Sequence, residues 1–482
     1  MRLSAILFCA LFSFSLLGQT DPQEANLLGT WSKEGLEGSS TYDNTYNEIW
    51  GIAYGGREYA IIGSTAGTHF IDVTNPADLE EIEFVEGASA GPHIIHRDYH
   101  NFGCYLYAVA DEGGASTLQI MDLSYLPDSV SVVYDSNELL RRSHNIFIDT
   151  IQAKLYCFGA GGGDPGYSAL RIYDISNPIA PVYLAEYNQF ADITASHVHD
   201  GYVDNGLAYL NCGNNGFAIV DFTDPLNPQT LGTMTQYPFS GYNHSGWPTN
   251  DGQYYILGDE THGYPMKVID VSDKEDIHSI TTIESAHDVL VETIPHNQIV
   301  ACNYLYVSYY YDGIQIYDIS DPENPVRVKY YDTSSWQFDS NYRGAWGIYP
   351  FLPSGNILVS DMQEGLFIIE GPGDQCSERA SSVINCATPT ATNELTLIEN
   401  GFRLFPQPAS HYINIDLNAA TIGEQINTEL KNLNGQAIIS YPSTIFDGNI
   451  QKYQLPTLPS GIYLLDVRGE TWQRVEKIMI TK

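Results

Sequence analysis

The stretch "SHVHDGYV" (Ser196 to Val203) sets two histidines and an aspartate within four positions of a chain that holds only 13 histidines. His197 and His199 stand two apart, so on an extended strand their rings share a face. That spacing alone suits a metal pair, a catalytic pair or a structural detail equally well. Recurrence adds weight to it. When the chain is aligned on its internal repeat, His96 (or His93), His144, His199 (or His197), His244 and His296 occupy one equivalent point, and Trp50 and Trp346 occupy it in the two remaining copies. Hairpin positions expected on the same side contribute Asp111, Glu112, Asp164, Asn214, Asn215, Asp259, Glu260, His262, Asp312 and Asp361. Three kinds of chemistry fit this gathering. Neutral imidazoles with a carboxylate hold Zn or Mn, whereas Ca needs oxygen ligands and would favour the acidic hairpins. A histidine could act as acid or base on a bound substrate, with a Tyr or Glu as partner. Each ring could instead be fixed by a hydrogen bond to the neighbouring repeat, with Asn145, Asp200, Ser245 and Asn297 stabilising the loops before the strands. The candidate ligand or metal set is His96, His144, His197, His199, His244, Asp259, Glu260, His262 and His296. No catalytic residue is assigned.

These side chains are positioned by a repeat of roughly fifty residues. The segments "HFIDVTNP", "QIMDLSYLP", "RIYDISNP", "AIVDFTDP", "KVIDVSDK" and "QIYDISDP" place an aspartate at 72, 122, 174, 221, 270 and 318, and a weaker copy, "LFIIEGPGD", follows with Glu370. Each unit reads as four short strands with no helical period, as in "HNIFID", "KLYCFGA", "ALRIYDIS" and "PVYLAEY". Four antiparallel strands repeated seven times predict an all-β fold, a seven-bladed β-propeller. The repeated Asp-x-Ser/Thr-Asn/Asp-Pro is turn chemistry, since Asp and Ser/Thr side chains bond nearby backbone amides and Pro presets the turn. The seventh unit lacks a fourth strand. "NLLGTWS" (Asn26 to Ser32) resembles "QTLGTMT" (Gln229 to Thr235), the outer strand of the fourth unit, so the N-terminus is expected to complete the last blade and close the ring.

The rest of the chain frames this propeller. The first 18 residues have the basic, apolar and small-residue layout of a secretory signal peptide, and no other run approaches transmembrane length. The net charge is −38, and residues 401–482 contain as many Lys and Arg as Asp and Glu, so the excess belongs to the first 400 residues. Such a surface repels nucleic acid and anionic membrane. Of the 7 cysteines, Cys9 falls in the signal peptide; Cys376 and Cys386 sit close together in a polar stretch and are expected to form a local disulfide in an oxidising compartment. Cys104, Cys157, Cys212 and Cys302 read as buried thiols or cross-strand bridges. "GAGGGDPG" (Gly159 to Gly166) falls in a hairpin tip, so it does not read as a phosphate cradle, and no nucleophile elbow, Rossmann fingerprint or zincin helix is present.

Residues 374–400 read as a linker, and 401–482 as a small β-sandwich with turn signals at "LNG", "FDGN" and "LPSG". In order, "LFPQPASHYINIDL", "ELKNLNGQAI", "LPSGIYLLDVR" and "VEKIMITK" resemble the C-terminal sorting domain of type IX secretion substrates, with Gln407 where Asn is usual. The resemblance implies partnership with the type IX machinery, transit across the outer membrane, and release or surface anchoring. Within residues 19–373, "NHSGWPTNDGQYYILGDE", "IPHNQIVACNYLYVSYYYDGIQIYDIS" and "GAWGIYPFLPSGNILVSDMQEGLFII" resemble the LVIVD-repeat propellers of the choice-of-anchor B family. That resemblance implies fold and export, and carries no activity to transfer. Two functional expectations follow. One is an exported propeller that binds an extracellular glycan, other ligand or protein at its histidine-bearing face. The other is a metal-dependent lyase or hydrolase acting on extracellular polysaccharide, and fold does not choose between them.

Overall fold

The computed structural model describes residues 21–162, 166–285, 293–335, 341–373 and 376–386, and beyond them 403–405, 409, 412–416, 425–432, 437–445, 451–456, 458, 461–469 and 473–480. The expected signal peptide and Asp164 lie outside the described residues. Two compact units divide the chain, Met1–Cys386 and Ala387–Lys482.

In the first unit the described residues form six four-stranded antiparallel sheets, a seventh whose four antiparallel strands gain a short parallel fifth, and a two-stranded hairpin at Gln189–Phe190 and Ile193–Thr194. Their innermost strands, in chain order, are Tyr46–Tyr54, Arg97–Phe102, Asn145–Asp149, Asp200–Asp204, Asn243–Pro248, Gln298–Ala301 and Ala345–Tyr349. Each touches the next, and the seventh touches the first, so the inner strands line one closed axial channel. The two middle strands of each sheet carry almost continuous apolar runs because neighbouring sheets cover both of their faces. In the third sheet Leu155, Tyr156, Cys157 and Phe158 are all fully buried. Burying each such large apolar side chain stabilises by about 1.5–3 kcal/mol. The six repeated aspartates sit at the ends of third strands, and each accepts a hydrogen bond from the amide two residues on, as from Thr74, Ser124, Ser176, Thr223, Ser272 and Ser320. Their work is to turn the chain.

The ring closes as the terminal strand count requires. Leu27–Trp31 pairs antiparallel with Gly365–Ile369, and the Glu370 amide donates to the Asn26 carbonyl at 3.0 Å. Just upstream, Gln23–Glu24 adds a short parallel pairing to Val326–Tyr331 of the sixth sheet.

The cysteines behave differently from expectation. Cys376 and Cys386 do not bond to each other: Cys386 bonds Cys104 with a Cα separation of 5.3 Å, and Cys376 bonds Cys302 at 5.7 Å. Between them the chain is drawn out along the body of the unit, as a short 3-10 helix at Ser377–Ser382 followed by a parallel bridge from Val383 to Ala53. Ile384 and Cys386 are buried in the core formed with Tyr59, Leu106 and Met121. Closeness in sequence therefore does not become closeness in space. A strap running from the sixth sheet to the second crosses the seam where the ring closes, so residues 376–386 belong to the first unit and lie inside the stretch read as linker. Cys157 and Cys212 are buried free thiols, one of the two readings that the sequence left open for them.

In the second unit, Arg403–Phe405, Tyr412–Asp416 and Gln451–Gln454 form one sheet, and Ala437–Ser440, Gln425–Lys431, Gly461–Arg468 and Gln473–Ile480 form another. Ile413 and Ile415 from the first and Ile426, Leu430, Leu465 and Ile478 from the second share one apolar core.

Peptide mapping of the unreduced protein checks the strap. It should yield peptides joining Cys104 to Cys386 and Cys302 to Cys376, with no peptide closed by Cys376 and Cys386 alone.

Candidate functional site

Inner strands that run the same way along a closed channel bring their starts to one rim. A second device then points the side chains inward. On a regular strand, successive residues alternate between faces. At His144–Asn145, His199–Asp200 and His296–Asn297 two residues face one partner, Phe158, Asn211 and Ser308 respectively. The register likewise slips around His244 and Trp346. These are bulge geometries, which re-aim a side chain at the end of a strand. The histidine and its successor thereby both reach the channel. Gly159 makes room for this: a Cβ there would lie 2.3 Å from the His197 ring, and its φ of +58° suits glycine.

The outcome is a closed circle of rings. His96, His144, His199, His244, His296 and Trp346 follow one another with centroid separations of 4.7, 4.1, 4.0, 4.5 and 4.4 Å, and Trp346 returns to His96 at 5.3 Å. Every imidazole in the circle is anchored through Nδ1. His96 faces Glu112 at 2.5 Å, His144 faces Asp111 at 2.9 Å, His199 the His244 carbonyl at 3.1 Å, His244 the Ser245 hydroxyl at 2.9 Å, and His296 the Trp346 carbonyl at 2.6 Å. Carbonyls and carboxylates only accept, and the Ser245 hydroxyl donates to the His296 carbonyl or to Gln298. Each Nδ1 therefore carries its hydrogen, and in a neutral ring Nε2 keeps a free lone pair. This is the anchoring by which metal-binding imidazoles are oriented and their tautomer fixed.

Burial holds most of these rings neutral. It pushes His296 down to about 3, and pushes His199 and His244 well below the usual value, helped by neighbouring imidazoles. His96 is the exception: burial opposes its charge, but the bonded Glu112 outweighs that and raises it. Glu260 lies beside the circle, its Oε1 accepting the Tyr310 hydroxyl at 2.6 Å and its Oε2 3.9 Å from His244 Nε2. Burial raises its carboxyl to about 7 despite that hydrogen bond. Tyr42, Tyr310 and Tyr342 complete the mouth around it.

Three donor groups here bring their ligand atoms within 4.8 Å of one another: His96, Asp111 and His144; His144, His197 and His199; and His199, His244 and Glu260. In the first, the Asp111 carboxylate already faces His144 Nδ1. In the second, His197 Nδ1 bonds the exposed Tyr167 hydroxyl at 2.7 Å. The third joins two inward-facing imidazoles to a carboxylate that no imidazole has claimed. A fourth group, Cys302, Cys376 and Glu378, has both sulfurs in a disulfide.

Two predicted site residues stand elsewhere. Asp259 is fully buried in an ion pair with Lys267 and accepts the Tyr237 hydroxyl at 2.8 Å, so it is committed to the core. His262 packs on Tyr342, with ring centroids 5.4 Å apart, and does not border the mouth. Trp50, aligned with the histidines in the sequence, sits deeper, between His100 and Tyr349. The sequence reading missed Tyr42 and Tyr342, which lie in loops before inner strands, and Tyr310, which stands two residues before the hairpin Asp312 that it did single out. It also missed Glu48, the third residue of the first inner strand, which stands two before Trp50 as Asn145 stands two before Phe147.

Glu48 accepts from Asn297 Nδ2 at 2.9 Å and from the Trp346 side chain, and Asp98 and Asp200 lie near it. Burial raises its carboxyl to about 7. A carboxyl whose folded value lies above the unfolded value of about 4.3 binds its proton more tightly when folded, so it costs stability as pH rises from about 4.3 through 7. Glu48→Gln removes that cost. Its melting temperature relative to the parent should climb between pH 5 and pH 8, by the equivalent of up to about 3 kcal/mol. A pH-independent difference in parallel thermal melts would contradict this.

Comparison with known proteins bears on both units. Residues 299–333 match the LVIVD repeat, and residues 403–481 match the secretion system C-terminal sorting domain. No curated protein sequence matches the chain. Among solved structures, the periplasmic gluconolactonase PpgL of Pseudomonas aeruginosa superposes with a TM-score of 0.50 at 9% identity, covering 85% of this chain and 99% of that one. A Lactobacillus plantarum protein gives 0.47 at 9% identity over 85% of this chain and 100% of its own. At such identity the first likeness bears on fold alone. No helix among the described residues is long and apolar enough to cross a membrane. The chain thus carries an LVIVD repeat within a propeller-type all-β fold and ends in a type IX sorting domain, which marks it for secretion or attachment at the outer-membrane surface.

Proposed function

We propose that this chain is an exported seven-bladed β-propeller that binds its ligand at the histidine-bearing mouth of the channel, through a divalent transition-metal ion held by His199, His244 and Glu260. The observation that supports this most directly is the anchoring pattern: five consecutive imidazoles give Nδ1 to the protein, and all five border one pocket together with Glu260. Imidazole with carboxylate suits Zn or Mn and not Ca, whose ligands are oxygen atoms. Two imidazoles and one carboxylate leave coordination positions open, as sites that receive a ligand do. The same openness, with the Tyr310 hydroxyl on Glu260, keeps hydrolytic or eliminative chemistry on an extracellular polysaccharide as the second reading.

Metal analysis of the full chain, purified without chelators and then exposed to zinc or manganese, tests the first reading. The parent should retain about one equivalent, and His199→Ala with His244→Ala should weaken uptake by more than about 100-fold while the melting curve stays cooperative. A parent that takes up neither ion would return the circle to a structural role.

The export route is tested separately. A chain ending at residue 400 should fold its propeller and accumulate in the periplasm, because the second unit holds its own core and the sorting match. Unchanged levels at the surface or in the medium would contradict the assignment.

A further inference from the structure

Beyond the histidines, the inner strands present two more tiers along the channel. Two residues apart on each strand, side chains share a face. Glu48 and Trp50, Asp98 and His100, Asn145 and Phe147, Asp200 and Tyr202, Ser245 and Trp247 are such pairs. The first members form a polar tier. The second members, joined by Tyr349 and Phe351, form a girdle of rings in which Trp50 meets His100 at 4.4 Å, Phe147 meets Tyr202 at 5.1 Å and Tyr202 meets Trp247 at 4.7 Å. Residues of both tiers border a cavity of about 70 Å³, room for a few waters or one small organic group.

We propose that this cavity is a second binding site, for a small organic ammonium ion. Three carboxylates border it, Glu48, Asp98 and Asp200, and no Lys or Arg does. Arg97, on the narrow neck towards the histidines, turns its guanidinium to the carbonyls of Ser64 and Ser89 instead. His100, only 9% exposed, gives Nδ1 to the Asn101 carbonyl at 3.2 Å, and its Nε2 has no hydrogen-bond partner among the described residues. That leaves an unmatched acceptor on a residue bordering the cavity. The rings of Trp50, Phe147 and Trp247 add faces that attract a cation. A surrounding of acceptors and π faces lacks one thing, a positively charged donor.

The form of that cation follows from spacing. Donor atoms of Glu48, Asp98 and Asp200 do not meet within 4.8 Å of one another, unlike those of the histidine groups. A bare metal ion needs converging oxygens at 2.3–2.6 Å for Ca or 2.0–2.1 Å for Mg. An ammonium group reaches separated acceptors with separate N–H bonds or alkyl arms, and rests its carbon chain on the rings.

The site is independent of the metal at the other tier, so it is tested on full chain treated with chelator. Calorimetric titration with cadaverine and with choline should show saturable binding of at least one of them in the millimolar range or tighter. Asp200→Asn, which keeps shape and removes charge, and Trp247→Leu should each weaken it by about tenfold, with melting curves confirming that both variants fold. Calcium should not compete. The proposal is overturned by the absence of binding of either amine, by variants that bind as the parent does, or by displacement of the amine by calcium.

Discussion

Everything in the channel depends on one pairing at the seam of the ring. Leu27–Trp31 lies against Gly365–Ile369, so a strand from near the start of the described chain completes the last sheet. Without it the seventh sheet would present an open edge, and its inner strand would lose the support that holds Trp346 between His296 and His96. The disulfide-held strap reinforces the same seam from another side, joining the turn at Cys302 to the turn at Cys104. Cross-links that close long loops restrict the unfolded chain, and the bond from Cys104 to Cys386 spans 282 residues. Such bonds persist in the oxidising surroundings that an exported chain meets.

A closed ring makes the channel a place of unusual electrostatics. Imidazoles packed 4.0–4.7 Å apart repel one another once charged, and water is largely kept from them. His199, His244 and His296 are therefore tolerated as neutral rings, whereas Glu112 favours the charged form of His96, and every Nδ1 in the circle faces a carbonyl, carboxylate or hydroxyl. Below them the buried carboxyls of Glu48 and Asp200 face the opposite difficulty, being negative groups with amide partners and no cationic one. Both tiers are thus provided with acceptors in excess of donors. An interior that collects acceptors this way gains stability whenever a cation enters, since binding to the folded state alone favours that state.

The histidine tier and the deeper tier also explain why sheets of one repeat need not be chemically alike. The repeated aspartates are uniform because every sheet needs the same turn. The channel positions differ from sheet to sheet, with His, Trp, Glu, Asp, Asn and Ser at corresponding places, because each fills a different sector of one shared volume. Chemistry on this fold resides in those positions, and the blades supply the frame.

The sequence by itself determined the frame. A period of about fifty residues, a turn aspartate in six of the seven copies and a missing fourth strand at the end sufficed to predict the sheets and their closure, because turn chemistry and strand alternation are local. It also brought out His144, His199, His244 and His296 through their equivalent places in the repeat. Tertiary structure alone decided the rest. Whether His144 and Asn145 both face the channel depends on a bulge opposite Phe158, and adjacent residues on a regular strand would have parted. Asp259 and Glu260 are neighbours in the chain, yet Lys267 takes one and the channel mouth takes the other. Cys376 and Cys386 are ten positions apart and bond to opposite sides of the seam. In each case the deciding partner comes from a distant part of the chain, and only the closed ring brings it within reach.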